Sequence, residues 1–132
     1  MLRRPDPTFY PSPRLAMEAP REDYTYTLLL SPDGSQPDAL AVVDVRPDSP
    51  SYCRVVHIVT VPNRRDEFHH FGWNACSSSL SPMGGHAFLE RRFLIIPAIR
   101  SSRIYVIDTK PHPTEAKIHK VIEPEEVFRK TG

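Results

Sequence analysis

The side chains able to do chemistry are densest in one stretch, Asp66-Glu67-Phe68-His69-His70-Phe71-Gly72-Trp73-Asn74-Ala75-Cys76-Ser77-Ser78-Ser79. Imidazole nitrogen is a good ligand for copper and zinc, and copper heads the affinity order among divalent ions at such sites. Neighbouring side chains on a regular strand point to opposite faces. His69 and His70 can therefore share a metal only where the backbone bends, and Gly72 offers a place for that. The competing reading is a pair of polar loop residues. Cys53 and Cys76 are the two cysteines. A thiol reacts as thiolate, a form that the neighbouring Arg54 favours at Cys53; Cys53 also reads as a small buried side chain at a strand start. Trp73 is either core packing or a wall of the metal pocket, to which Cys76 is a further candidate.

These residues need a frame, and the frame is read from the apolar runs. Strands are predicted at residues 24–30, 39–45, 54–61, 93–99, 103–108 and 117–122, with a further one around 73–77. Turn sequences such as Ser31-Pro32-Asp33-Gly34 and Arg46-Pro47-Asp48-Ser49-Pro50 separate them. No long helical segment lies between the strands, which excludes a parallel βαβ sheet and makes the chain all-β. Ala41-Val42-Val43-Asp44-Val45-Arg46-Pro47 returns as Ile104-Tyr105-Val106-Ile107-Asp108-Thr109-Lys110-Pro111. Val55-Val56-His57 returns in Lys117-Ile118-His119, with the aspartates 64 residues apart and the histidines 62.

A repeated unit of several strands points to a β-propeller or a similar array. The nearly continuous apolar runs 39–45 and 93–96 agree, because strands packed on both faces need not alternate. A two-sheet sandwich would explain the strands and not the repeat. The expected division is an irregular Pro-rich leader over 1–23, a partial first blade over 24–62, a second blade over 63–124 and the start of a linker to a third blade over 125–132. The chain is thus expected to be about two blades of a larger closed propeller, inactive and marginally stable by itself. The repeated positions give His57 and His119 a shared structural role. Asp44 and Asp108 should bond turn backbone, while His86 and His112 read as solvated loop residues.

Composition narrows the function. Fifteen prolines in 132 residues is about double the usual ~5%, whereas there are five glycines. Rigid turns between short strands suit that bias. Net charge is +1 with no basic block, which argues against a nucleic-acid partner. The start of the chain carries no secretory apolar region, and the apolar runs are too short for a membrane helix. Two cysteines make no disulfide framework. The plain reading is a cytoplasmic protein with reduced thiols.

Residues 67–78 resemble a signature of the selenium-binding-protein family, whose members include methanethiol oxidases. The likeness extends through Ala16-Met17-Glu18-Ala19-Pro20-Arg21-Glu22, Ser51-Tyr52-Cys53-Arg54-Val55-Val56-His57, Ser101-Ser102-Arg103-Ile104-Tyr105-Val106-Ile107-Asp108 and Lys117-Ile118-His119-Lys120-Val121-Ile122-Glu123-Pro124. It covers about residues 12–126. The resemblance implies a much longer closed propeller that converts methanethiol, O₂ and water to formaldehyde, hydrogen sulfide and hydrogen peroxide. It implies copper on histidines, His69 and His70 among them, with the other ligands beyond Gly132. It also implies selenium attached at Cys53, and relatives implicated in protein transport leave a selenium-binding or transport module without turnover as the alternative. Animal relatives carry Cys-Ser-Ser-Cys where this chain has Cys76 to Ser79; the missing second thiol removes a dithiol redox role. The implied partners are a small thiol and O₂.

Overall fold

A computed structural model describes residues 6–76, 80 and 89–131. Its elements are α1 (Pro13–Glu18), β1 (Tyr24–Leu29), β2 (Ala39–Asp44), β3 (Val55–Thr60), β4 (Gly72–Trp73), β5 (Phe93–Pro97), β6 (Ile104–Asp108), a single 3-10 turn (Pro113–Glu115), β7 (Lys117–Ile122) and α2 (Pro124–Thr131). All pairings are antiparallel, in one sheet ordered β1-β2-β3 and a second ordered β4-β5-β6-β7. The expected four-stranded unit is therefore present, with β5 paired to β6. Its first strand is only two residues long; Ser77 lies outside the described residues, as does His86.

Two helices depart from an all-strand reading. Ser12 caps α1, its hydroxyl accepting from the Leu15 amide at 3.3 Å. In α2, Pro124 starts the helix, Glu125 and Glu126 occupy the first turn, and Arg129 and Lys130 the last, charges that complement the helix dipole. The signals in 124–131 were those of a helix, and propeller periodicity masked them. The expected leader is a strap: Phe9 is buried, and the Asp6 carboxylate accepts from the Arg91 amide at 2.8 Å.

The internal repeat is real in three dimensions, with one correction. A bulge falls between Val42 and Val43 in the β2–β3 pairing and between Val106 and Ile107 in the β6–β7 pairing, the same step of the repeat. The register on either side of it sets the equivalents: Val42 pairs with His57, whereas Val106 pairs with Lys120. His57 is thus equivalent to Lys120 and not to His119. Their environments differ accordingly. His57 Nε2 lies 2.7 Å from the Ala116 carbonyl oxygen, tying the two sheets together, while the exposed His119 ring stacks 4.9 Å from Phe93. The shared role expected of the two histidines is not found.

The aspartates do behave as equivalents. Asp44 accepts from the Arg46 amide at 2.9 Å and Asp108 from the Lys110 amide at 3.0 Å. Each also takes an arginine fork, Arg46 on Asp44 and Arg92 on Asp108. Ser49 and Ser51 hydroxyls add two donors to Asp44, both at 2.6 Å. Arg46 and these hydroxyls hold the Asp44 carboxyl far below the ordinary range; Arg92 first, then the Lys110 amide, hold Asp108 down at about 2.

The two sheets share one core. Leu40 and Val59 of the first meet Leu94, Ile96, Tyr105 and Ile107 of the second. On β2 the core side is that of Leu40; on β6 it is that of Tyr105 and Ile107, whose repeat equivalents Ala41 and Val43 lie on the opposite side of β2. Equivalent faces therefore do not meet. The sheets stack head to tail, one sheet's front on the other's back, as successive members of an array do. A symmetric sandwich would bring like faces together.

Candidate functional site: a pinned His-His segment

His69 and His70 lie on an irregular stretch between the Phe68–Ala98 bridge and β4. The segment just before them is held from four directions. The Asp66 and Glu67 carbonyls accept from the Arg100 and Ile99 amides, each at 3.1 Å. The Phe68 amide donates to Asp38 Oδ2 at 2.9 Å, and Asp38 Oδ1 accepts from Ser31. The Phe68 ring is fully buried and meets Tyr105 edge-on at 5.3 Å. Asp66, also fully buried, accepts from Tyr105 Oη at 2.6 Å and from Arg103 at 3.0 Å.

Both Asp66 carboxylate oxygens and the Tyr105 hydroxyl have partners, as buried polar groups require. Asn63 donates to Tyr105 Oη at 3.0 Å, and Arg103 also donates to Glu123 at 2.7 Å. Burial first, and then the Asp66 carboxylate, push the Tyr105 hydroxyl well above its usual range, so it stays a proton donor. Asp38, Asp66, Arg103 and Tyr105 were not read as functional from the sequence. Asp66 at the head of the His-His motif was the available signal.

The bend is not where glycine suggested. Arg65 (φ 61°) and Glu67 (φ 59°) adopt the left-handed conformation, while Gly72 sits in β4. Non-glycine residues in that region cost about 1–3 kcal/mol each and persist where surrounding contacts over-determine them. Gly34 (φ 67°) supports the same place: a Cβ there would lie 2.5 Å from Arg65 Cγ. The outcome is that adjacent histidines turn together. Both are exposed, with Nδ1 atoms 2.7 Å apart and ring centroids 4.3 Å apart. One Nδ1 donates to the other, and nitrogens this close could be neighbouring ligands of one ion with bonds of about 2.0–2.1 Å. Among the described residues no group of three or more His, Cys, Asp or Glu could hold a metal, and the pair by itself offers two donors.

Trp73 serves packing and a cleft at once. It sits against the core, meets Tyr26 edge-on at 5.7 Å and carries Arg91 over its face at 5.1 Å. With Tyr24, Tyr26, Phe71 and His112 it lines an open cleft of about 660 Å³ between the sheets. His112 is exposed in a loop as expected, and its ring meets Tyr24 edge-on at 5.3 Å. Cys76 follows β4 and is exposed.

Cys53 is exposed, not buried, in the β2–β3 turn with φ 59°. Its amide donates to the Asp44 carbonyl at 2.8 Å, at the far end of β2 from Asp38, which holds Phe68. The histidine pair and Cys53 are thus at opposite ends of the strands and are not brought together. Cys53 and Cys76 are not bonded to each other.

An all-β array with an imidazole pair beside an edge strand matches known proteins closely. The family model for the 56kDa selenium binding protein matches residues 3–132, and the chain belongs to that family. It is 47% identical over 93% of its length to selenium-binding protein 3 of Arabidopsis thaliana. It is 45% identical over 92% of its length to methanethiol oxidase of Bos taurus. Each match spans 25% of the relative, so the chain covers about a quarter of the length of these relatives. The X-ray structure of a hypothetical selenium-binding protein from Sulfolobus tokodaii superposes with TM-score 0.84 at 56% identity, covering 94% of this chain and 28% of that one. No described helix is long and apolar enough to cross a membrane.

Proposed function

We propose that this chain supplies two neighbouring propeller blades and two copper ligands, His69 and His70, of a cytoplasmic methanethiol oxidase. The remaining blades and ligands would come from the part of the family's length that it does not span. The observation that carries the reading is the Nδ1–Nδ1 approach of 2.7 Å on a segment fixed by buried carboxylates. Head-to-tail stacking of the sheets supports the propeller, and relatives named methanethiol oxidase support the substrate class, a small thiol.

In this reading β4, one of the two edges of the second sheet, would be the edge that lines the channel of a closed ring and presents the imidazoles inward. The overall change is methanethiol plus O₂ plus water to formaldehyde, hydrogen sulfide and hydrogen peroxide. Bound copper would supply a soft site for the thiolate and electron exchange with O₂. The chain's own contribution is positional. Asp38 and the Asp66–Tyr105–Arg103 cluster keep the histidine backbone from relaxing, and Trp73 walls the neighbouring cleft. The test joins this segment to the rest of a family protein and replaces both histidines with alanine. Copper content and methanethiol-dependent peroxide should fall together; full copper occupancy in the double variant would sink the assignment.

A second reading rests on the exposed Cys53 thiol: selenium carriage, or a role in protein transport, without turnover. Stoichiometric selenium lost in Cys53→Ser, with no copper bound, would favour it.

A further inference from the structure

The histidine pair offers more than two donors, because its geometry selects which nitrogens face each other. The two Nδ1 atoms are 2.7 Å apart, while the ring centroids are 4.3 Å apart and the planes are tilted by 50°. The rings therefore meet at their Nδ1 corners and open away from that contact. Nitrogens at this spacing, on bonds of about 2.0–2.1 Å, subtend about 80–85° at a shared ion. That is close to the right angle between adjacent corners of a tetragonal centre, the arrangement typical of copper(II). Tetrahedral zinc needs nitrogens about 3.3 Å apart, and one ring would have to turn to allow it.

We propose that His69 and His70 both ligate through Nδ1, at adjacent corners of a tetragonal copper(II) centre. This rests on the copper reading above and assigns the atoms and the geometry that it leaves open. Nδ1 is bonded directly to Cγ, so an ion held there sits near the backbone, whereas an ion on Nε2 would ride on the tips of the rings. The backbone leading into the pair is what Asp38 and the buried Asp66 cluster fix. Nδ1 ligation couples the ion to that support most directly. One Nδ1 donates its hydrogen to the other; on ligation that hydrogen moves through solvent to Nε2 of the same ring, with no change of charge. Each ring then carries its hydrogen on Nε2, free to donate to a supporting group as metal-bound histidines do. The hydrogen bond thus keeps two donors at ligand spacing.

The experiment uses the same joined protein, with position 69 or 70 replaced by histidine methylated at one ring nitrogen. Copper(II) is the probe, and the readouts are metal content, affinity and electron paramagnetic resonance. Both rings are exposed in this chain, so the methyl group has room, and the two methyl isomers control for each other. Methylation at Nδ1 of either residue should lower copper affinity by about 100-fold or more, at least what loss of an outer-shell partner costs. Methylation at Nε2 should leave one copper per chain with the axial spectrum of a tetragonal site. Sensitivity at Nε2 of either residue, or insensitivity at Nδ1 of one, overturns the Nδ1 assignment and leaves the copper reading standing. Copper retained in all four variants, or absent from the unmodified protein, overturns both. A spectrum with the compressed hyperfine splitting of tetrahedral copper, from the unmodified protein, would refute the tetragonal geometry.

Discussion

The first sheet has three strands and the second has four, and the additional strand, β4, is the one preceded by His69 and His70. What the sheets share is architectural: the bulge at one step, the aspartate that closes the second hairpin strand, and the arginine fork on that aspartate. What they do not share is the polar cluster around Asp66, which belongs to the second sheet and its approach. A repeat holds a fold in place through whatever recurs, so departures from it are where a site can develop.

Asp66→Ala should separate the sheets most sharply. It strips the buried Tyr105 hydroxyl and one bond from Arg103, and breaking a buried charged cluster costs about 3 kcal/mol or more. Chemical denaturation checks the figure, and a loss under about 1 kcal/mol would mean that water replaces the carboxylate. Gly34→Ala comes next, at about 1–3 kcal/mol, because the first sheet's turn props Arg65 and a methyl group meets its side chain. Unchanged melting would show that this turn does not support the segment.

The histidines give a smaller and more pointed contrast. His57→Ala removes a bond across the sheets and should cost about 1 kcal/mol. His119→Ala, on an exposed face, should stay within about 0.5 kcal/mol. Equal effects would restore the equivalence that the strand register denies. The smallest effect is in the acid limb. Asp108 has a folded pKa of about 2 against an ordinary 3.8, so its stabilisation is present above about pH 4 and lost as pH falls through about 2. Asp108→Asn should flatten thermal stability against pH in that window, leaving the part due to Asp44. An unaltered slope would show that the fork on Asp108 adds nothing.

The sequence displayed most of the frame. Six of the strands lie within one or two residues of their expected ends, since β-branched runs between proline and aspartate turns leave little choice. Asp44 and Asp108 were legible as turn-closing residues for the same reason. The equivalence of His57 and His119 was misjudged because the connection after Val43 is longer than that after Ile107 by one residue and not by two, which only the pairing reveals. The histidine segment was visible as a motif, but its support was not. Asp38 lies 30 residues from Phe68 and Tyr105 lies 39 from Asp66, distances over which no local pattern operates.

The connections also bear on the order in which the molecule assembles. Within each sheet most strands follow one another through about ten residues or fewer, whereas β4 and β5 are separated by the stretch 74–92. Closing a longer loop costs more entropy, though only logarithmically, and a two-residue strand offers few ladder bonds in return. Hairpins β1–β2–β3 and β5–β6–β7 are therefore expected to form early, with β4 joining late on an existing edge. In hydrogen exchange the Gly72 and Trp73 amides would be among the first to open, so the histidine pair sits where the backbone is held least tightly downstream and most tightly upstream.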